Sequence, residues 1–347
     1  MIKSSLFASS EREQKLNQHG DVLQDLEAYI DFHSIALSVD KSAPRPTRKK
    51  GGRPPFPTEL MVRVLVVQQT FNLSDDQMEY QLLDRLSFQR FVGLRHSSQI
   101  PDRTTIWMFR ERLIKADAFS SIFDAVQEQL NAHGYVARAG HMVDASLVPV
   151  PTQHVRKEEK TLLKEKAVPA DWSASKRRQK DTDATWTKKH GKSYFGFKLT
   201  ANTDNRYKLV RKIKVTTASS HDTNHLEDVL DVPNTSKDVY ADKGYADKTR
   251  ETRLKQNGFR PHIQHKARRG KPMSECQKKR NHRISKTRVR VEHPFAALEQ
   301  MGGKMIRSIG MERAKLHLYC KTEVYNMRRL CFLKSSGVAP LRSRVAS

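Results

Sequence analysis

Three acidic residues stand where chemistry would need them. The apolar run GHMVD ends on Asp144, DVYAD ends on Asp242 before KGY, and Glu292 lies in RVRVEHPF. Ligands meet α/β sheets at the carboxyl ends of strands, so two aspartates ending separate strands can share one cation. Their hard oxygens suit Mg²⁺, which keeps several waters and takes substrate phosphates into its shell. A third carboxylate, Glu292, would complete a two-metal site. Such a site binds the attacking and leaving oxygens of an in-line phosphoryl displacement, while the protein mostly positions and neutralises. The residues alone also allow a plainer reading, because Asp at a strand end is often a turn or cap residue.

These acids need a sheet to carry them, and the chain changes texture where one should begin. YVARAGHMVDASLVPV alternates and is rich in valine, a strand signal. YFGFKLTANTDNRYKLV and RKIKVTTAS read as two strands joined by a turn at Asp204-Asn205. HDTNHLEDVL reads as a helix, DVYADKGY as a short strand, KTRETRLKQNG as a helix ending at Gly258, and FRPHIQHK as a strand. After a very basic linker, a helical segment runs near 288–300 and further helices reach about 333. Two hairpin-like strand pairs followed by αβ crossovers give the chain order of a ribonuclease-H-like core, a mixed five-stranded sheet flanked by helices. Between 151 and 192 lies a polar insertion with twelve Lys or Arg and six acids, which reads as a mobile loop. Its Trp172 and Trp186 read as buried anchors, with stacking on an unpaired base as the other reading.

Upstream, residues 58–134 read as all-helical. Thr58 is placed to cap one helix, Ser74 caps DDQMEYQLLDRL, Pro101-Asp102 opens TTIWMFRERLIK, and Asp117 or its neighbours open the last, stopped near Gly134. Short helices with tight turns suit a helix-turn-helix-like DNA-binding unit and equally a generic bundle. The resulting organisation is a helix and basic Pro/Gly linker at 1–57, a helical DNA-binding domain at 58–134, a catalytic domain at 135–335 and a tail at 336–347.

Composition narrows the partner. The 64 Lys plus Arg against 38 Asp plus Glu leave a formal charge of +26. A polyanion is the natural counter-surface, because each neutralised phosphate releases counterions. The most apolar stretch, LMVRVLVV, is interrupted by Arg63 and far too short to span a bilayer, so no membrane is expected. Three cysteines, Cys276, Cys320 and Cys331, without a CxxC pair argue against a zinc site or disulfide framework. His221 and His225 lack a nearby third ligand, so a helix start capped by Asp222 is preferred to a metal pair.

The segments GHMVDASLV, DVYADKGY and TRVRVEHPFAALEQ resemble the three catalytic motifs of bacterial insertion-sequence transposases of the Asp-Asp-Glu type, with the insertion-sequence five group the nearest match. HGKSYFGFKL and TTASSHDTNHL resemble family segments between the first two acids, and FNLSDDQMEYQLLDRLSFQRFVGL and IPDRTTIWMFRERL its amino-terminal helical domain. The resemblance covers roughly residues 50–330. It implies a ribonuclease-H-like core in which Asp144, Asp242 and Glu292 match the catalytic positions and hold two Mg²⁺ ions, with Mn²⁺ able to substitute. It implies double-stranded DNA as substrate, with cleavage at terminal inverted repeats and transfer of 3′-hydroxyl ends into target DNA. A homodimer in the DNA complex and a bacterial cytoplasmic, nucleoid-associated location follow as expectations.

The last motif departs from the family. Arg288 fits the family's arginine, but Ser285 stands at its tyrosine and Glu299 at a lysine that would contact phosphate, leaving Lys304 or Lys286 to substitute. Pro294 places Glu292 at a helix start or kink. Arg288 reads either as a helix salt bridge to Glu292 or as a phosphate contact. The segment 265–290 holds eleven Lys or Arg and one acid, so Lys286, Arg288 and Arg290 are expected to track phosphates, and Lys243 beside Asp242 to touch one. Two other functions fit the same chain: a catalytically inactive DNA-binding remnant or self-repressor, and a ribonuclease-H-like nuclease without strand transfer.

Overall fold

The computed structural model describes residues 5–46, 51, 54–165, 167–267, 270 and 272–340. Part of the basic arm (47–50, 52 and 53), three residues of the basic segment (268, 269 and 271) and the tail from 341 onward lie outside the described residues. Two compact units divide the chain, Met1–Gln129 with Asn326–Ala339, and Leu130–Tyr325 with Pro340–Ser347.

The first unit is helical: α1 (Ala8–His19), α2 (Val22–Tyr29), α3 (Phe32–Ser42), α4 (Thr58–Phe71), α5 (Asp75–Asp84), α6 (Leu86–Val92), α7 (Arg103–Lys115) and most of α8 (Ser121–Ala132). Local chemistry starts several of these helices. Ser74 and Gln77 form a reciprocal capping box at α5, and the Asp102 carboxylate accepts the Thr105 N–H at α7. Thr58 does not cap α4. Its hydroxyl donates to Asp40 Oδ1 at 2.5 Å, in a cluster that also brings Arg45 and Arg112 to Asp40. A carboxylate binds a hydroxyl more strongly than a backbone N–H can, so the side chain turns inward. Asp117 does not open α8 but adopts a left-handed conformation ahead of it (φ 51°).

The second unit is built on a six-stranded mixed sheet: β1 (His141–Pro149), β2 (Thr185–Lys189), β3 (Lys192–Asp204), β4 (Val210–Thr217), β5 (Asp238–Ala241) and β6 (Arg260–Ile263). The central path runs β4–β3–β1–β5–β6, antiparallel from β4 to β1 and parallel from β1 to β6. That order and polarity are those of a ribonuclease-H-like core. The sixth strand, β2, pairs with the start of β3, from Lys192 to Gly196. One sheet face is covered by a cluster of Val143, Val239, Ala241 and Ile263 with Leu226, Val229, Leu230, Tyr245 and Leu254. Helices α11 (Lys248–Gln256), α12 (Glu275–Arg288), α13 (Glu292–Gln300) and α14 (Met311–Ser335) follow, and the residues of α14 from Asn326 belong to the first unit.

Other expectations are corrected in the second unit. The insertion at 151–192 is not a structureless loop: it forms α9 (Lys157–Lys164), α10 (Ala174–Gln179) and β2. Glu159 organises it, accepting Trp172 Nε1 at 2.7 Å and Lys176 Nζ at 2.6 Å on one oxygen and the Arg156 N–H at 2.8 Å on the other. Trp172 is the buried anchor expected, whereas Trp186 is half exposed and leans on Phe195. From Glu275 onward the basic "linker" after β6 is helix α12, started by a Ser274–Gln277 capping box. HDTNHLEDVL makes two 3-10 turns, Asp222–His225 and Glu227–Val229, and Asp222 pairs with Lys198 (2.7 Å) instead of capping. A long-range ammonium outcompetes a backbone N–H for that carboxylate. Among the described residues no helix is long and apolar enough to cross a membrane, and no disulfide joins Cys276, Cys320 or Cys331.

Candidate catalytic site

The parallel register between β1 and β5 decides where the first two acids lie. His141 pairs with Val239 and Met142 with Tyr240, so two residues further on each strand reaches Asp144 and Asp242. Neighbouring strands are about 4.8 Å apart and residues in register share a face, so both carboxylates come to one side of the same strand ends. β5 stops at Ala241 and gives way to a 3-10 turn, Lys243–Tyr245, while β1 runs on to Pro149 against β3 alone. The open edge of β1 beyond Met142 is therefore the mouth in which the two acids sit.

Asp242 starts the 3-10 turn, its Oδ1 accepting the Lys243 N–H at 2.6 Å. Asp144 is more enclosed. Its Oδ1 accepts the Ala145 N–H at 2.9 Å, and its Oδ2 lies 2.8 Å from Arg288 Nη1 at the end of α12. Burial pushes the Asp144 carboxyl above its ordinary value. The Arg288 charge and the Ala145 N–H pull it back, and the charge of Asp242 adds to the rise. Below them lies Tyr245, 2% exposed, whose hydroxyl has no hydrogen-bond partner among the described residues. Burial raises its pKa well above normal, and the charges of Asp222, Asp144 and Asp242 raise it further. Asp222, held by Lys198, therefore joins the acidic surroundings of the pair. Neither Lys198 nor Tyr245 announces itself in sequence, because each reads as an ordinary strand or turn residue and acquires its neighbours only through the sheet.

Glu292 comes from the segment that follows Arg288. α12 ends at Arg288, a 3-10 turn spans Val289–Val291, and Glu292 is the exposed first residue of α13. Pro294 fits there because the first turn of a helix needs no N–H from it. Among the described residues no three His, Cys, Asp or Glu side chains gather as a metal site. The register thus brings Asp144 and Asp242 together, and the 3-10 turn that precedes Glu292 packs against β1, the strand that carries Asp144. The donor chemistry of the aspartate pair, two hard oxygens at an open strand end, suits a divalent cation such as Mg²⁺.

The expected phosphate contacts divide in the same way. Lys243 and Lys286 are exposed. Arg288 binds Asp144, not Glu292. Arg290 donates to the backbone and side-chain oxygens of Asn205 in the β3–β4 turn, and Lys304 pairs with Glu299 at 2.6 Å. Helix α12 is seated on the sheet by polar bonds: Arg280 to Ile263 O, Asn281 reciprocally with the His265 backbone, and Gln264 to Ser285 Oγ at 2.6 Å. Ser285 is thus a docking residue. On the outer side of α12, Lys279, Arg283 and Lys286 are exposed at helical spacing, a cationic stripe on the face opposite to Arg288.

Residues 141–327 match the family model described as "Transposase DDE domain", and residues 10–112 match "Transposase domain (DUF772)". A solved chain from a piggyBac transposase synaptic complex with hairpin DNA is similar at 12% identity, covering 93% of this chain and 83% of that one, with a TM-score of 0.42.

Proposed function

Since the chain belongs to the transposase DDE domain family, we propose that it binds the terminal inverted repeats of an insertion sequence, cleaves there and transfers 3′-hydroxyl ends into target DNA. Within that family the motif segments favour the insertion-sequence five group. The observation that carries the reading is the alignment of Asp144 and Asp242 at the ends of adjacent parallel strands, with a basic helix alongside.

Asp144 and Asp242 would hold divalent metal, Mg²⁺ or Mn²⁺, with Glu292 as the third ligand. The metal supplies Lewis-acid activation of the attacking oxygen and neutralisation of charge at the leaving oxygen. The chain itself orients and neutralises. β1 and β5 fix the spacing of the two carboxylates, and the Lys279–Arg283–Lys286 stripe lies along the phosphate backbone. Lys243 reaches a phosphate beside Asp242. Glu292 follows the 3-10 turn Val289–Val291, which packs against β1 and carries the third carboxylate toward the strand of Asp144. Two DNA ends must be held at once, which favours a homodimer in the complex.

The test is cleavage of a labelled duplex carrying the element's terminus, by wild type and by Asp242→Ala, in Mg²⁺ and in EDTA. Metal-dependent cutting at the terminus, lost in the variant, is expected. Ser285 and Glu299, standing where the family has tyrosine and lysine, favour a second reading, an inactive DNA-binding remnant. Binding without cutting in any metal would establish that reading instead, and cutting without joining to a target plasmid would leave a nuclease.

A further inference from the structure

Arg288 holds Asp144 in a particular way. One guanidinium nitrogen, Nη1, meets Oδ2 at 2.8 Å, and the other carboxylate oxygen is taken by the Ala145 N–H. The contact is single rather than a two-point fork, and Arg288 Nε is buried with no hydrogen-bond partner among the described residues. A guanidinium bound at one point, with an unsatisfied buried N–H, gives up little when it leaves. Arg288 is also the last residue of α12, directly before the 3-10 turn that separates it from Glu292.

We propose that Arg288 is the resident counter-ion of Asp144 in the DNA-free protein, and that it exchanges for a divalent cation, passing its guanidinium to a DNA phosphate. Two cationic groups on one half-buried carboxylate repel, so cation and Arg288 compete for Asp144. A phosphate gives the displaced guanidinium a partner and relieves that competition. Cation and DNA therefore bind with positive coupling, each raising the affinity of the other by the same factor. The consequence is a protein that loads its metal poorly until DNA is present. This inference rests on the metal-site reading above, and its test separates the two.

The experiment is calorimetric titration of Mn²⁺ into the full-length, DNA-free protein. Arg288→Gln is expected to bind Mn²⁺ about tenfold more tightly than wild type, equivalent to about 1.4 kcal/mol. Arg288→Lys, which keeps the charge, stays near wild type. Equal or weaker binding by Arg288→Gln overturns the exchange. Asp144→Asn and Asp242→Asn locate the site: if neither changes Mn²⁺ binding, the metal-site reading falls and the exchange with it. If both weaken binding while Arg288→Gln does not tighten it, the exchange alone falls. A second measurement needs no substitution. In wild type, the slope of log affinity for a duplex against log salt steepens by about 0.9 when Mn²⁺ replaces EDTA, because the freed guanidinium neutralises one more phosphate. An unchanged slope overturns the transfer to phosphate.

Discussion

Replacing Gly196 by alanine tests whether the close approach of β3 to β1 is what holds the strand that carries Asp144. Gly196 faces Pro149 at the last pair of the β1–β3 ladder and has φ +154°. A Cβ there would lie 2.3 Å from Val148 O and 3.0 Å from both Pro149 Cα and Val150 N, all backbone atoms. No rotamer change relieves such contacts, so the strands must part. The unfavourable φ costs about 1–3 kcal/mol. Parting also strains the bonds that close the ladder, Val150 N–H to Phe195 O (2.9 Å) and Ala218 N–H to Gly196 O (3.1 Å). At about 1 kcal/mol for each such bond the total reaches roughly 3–5 kcal/mol. For a domain of this size about 1 kcal/mol moves Tm by about 2–4 °C, so a fall of roughly 6–20 °C is expected. Gly191 is the control: φ is +79° but nothing lies within 4 Å of its Cβ position. Gly191→Ala should cost only about 1–2 kcal/mol of left-handed strain. The assay is thermal unfolding of both variants by circular dichroism. If Gly196→Ala melts no lower than Gly191→Ala, the close-approach reasoning is wrong.

Three further outcomes follow from other parts of the structure. Burial, with the nearby charge of Lys237, holds the His141 imidazole down at about 4, below its unfolded value of about 6.5, so the unfolded chain takes up the proton first as pH falls. Its stabilising contribution is complete above about pH 6.5 and is lost toward pH 4, by about 2 kcal/mol between pH 7.5 and 5; urea midpoints should show this loss in wild type and not in His141→Gln, and equal losses would refute it. Glu159→Ala removes the acceptor of Trp172, Lys176 and the Arg156 N–H. In a Trp107→Phe, Trp186→Phe background the emission of Trp172 should shift to the red, and an unchanged spectrum would show that the insertion is held some other way. Changing Lys279, Arg283 and Lys286 together to Gln should reduce the salt slope of DNA binding by about 0.9 for each phosphate left without its cation, about 2.7 in all, and a wild-type slope would take the stripe out of the interface.

Much of the fold could be read locally. The runs GHMV and DVYA announce β1 and β5 because strands buried in a parallel sheet are nearly continuous in apolar residues. Ser74 and Asp102 announce helix starts because a cap is made within three residues of itself. α12 escaped this kind of reading: only Ile284 is fully buried on it, and it is seated by polar bonds from Arg280, Asn281 and Ser285 to residues sixteen or more positions away. Apolar periodicity carries no trace of such seating. β2 escaped too, since TWTKK has a loop's composition and becomes a strand only by pairing with Lys192–Gly196.

The candidate site divides along the same line. The types of Asp144 and Asp242, and their places at the ends of apolar runs, were determined by the sequence itself, because side-chain chemistry and strand termination are local properties. That the two carboxylates meet was decided by the parallel register of β1 and β5, which joins residues almost a hundred positions apart. The partner of Arg288 was likewise decided in three dimensions. Local spacing offered Glu292, four residues on, but the 3-10 turn after α12 breaks that helical pairing and the sheet presents Asp144 instead, 144 residues away. Charge and hydrogen-bonding capacity belong to each residue, but the choice of partner belongs to the packing that brings distant segments within reach.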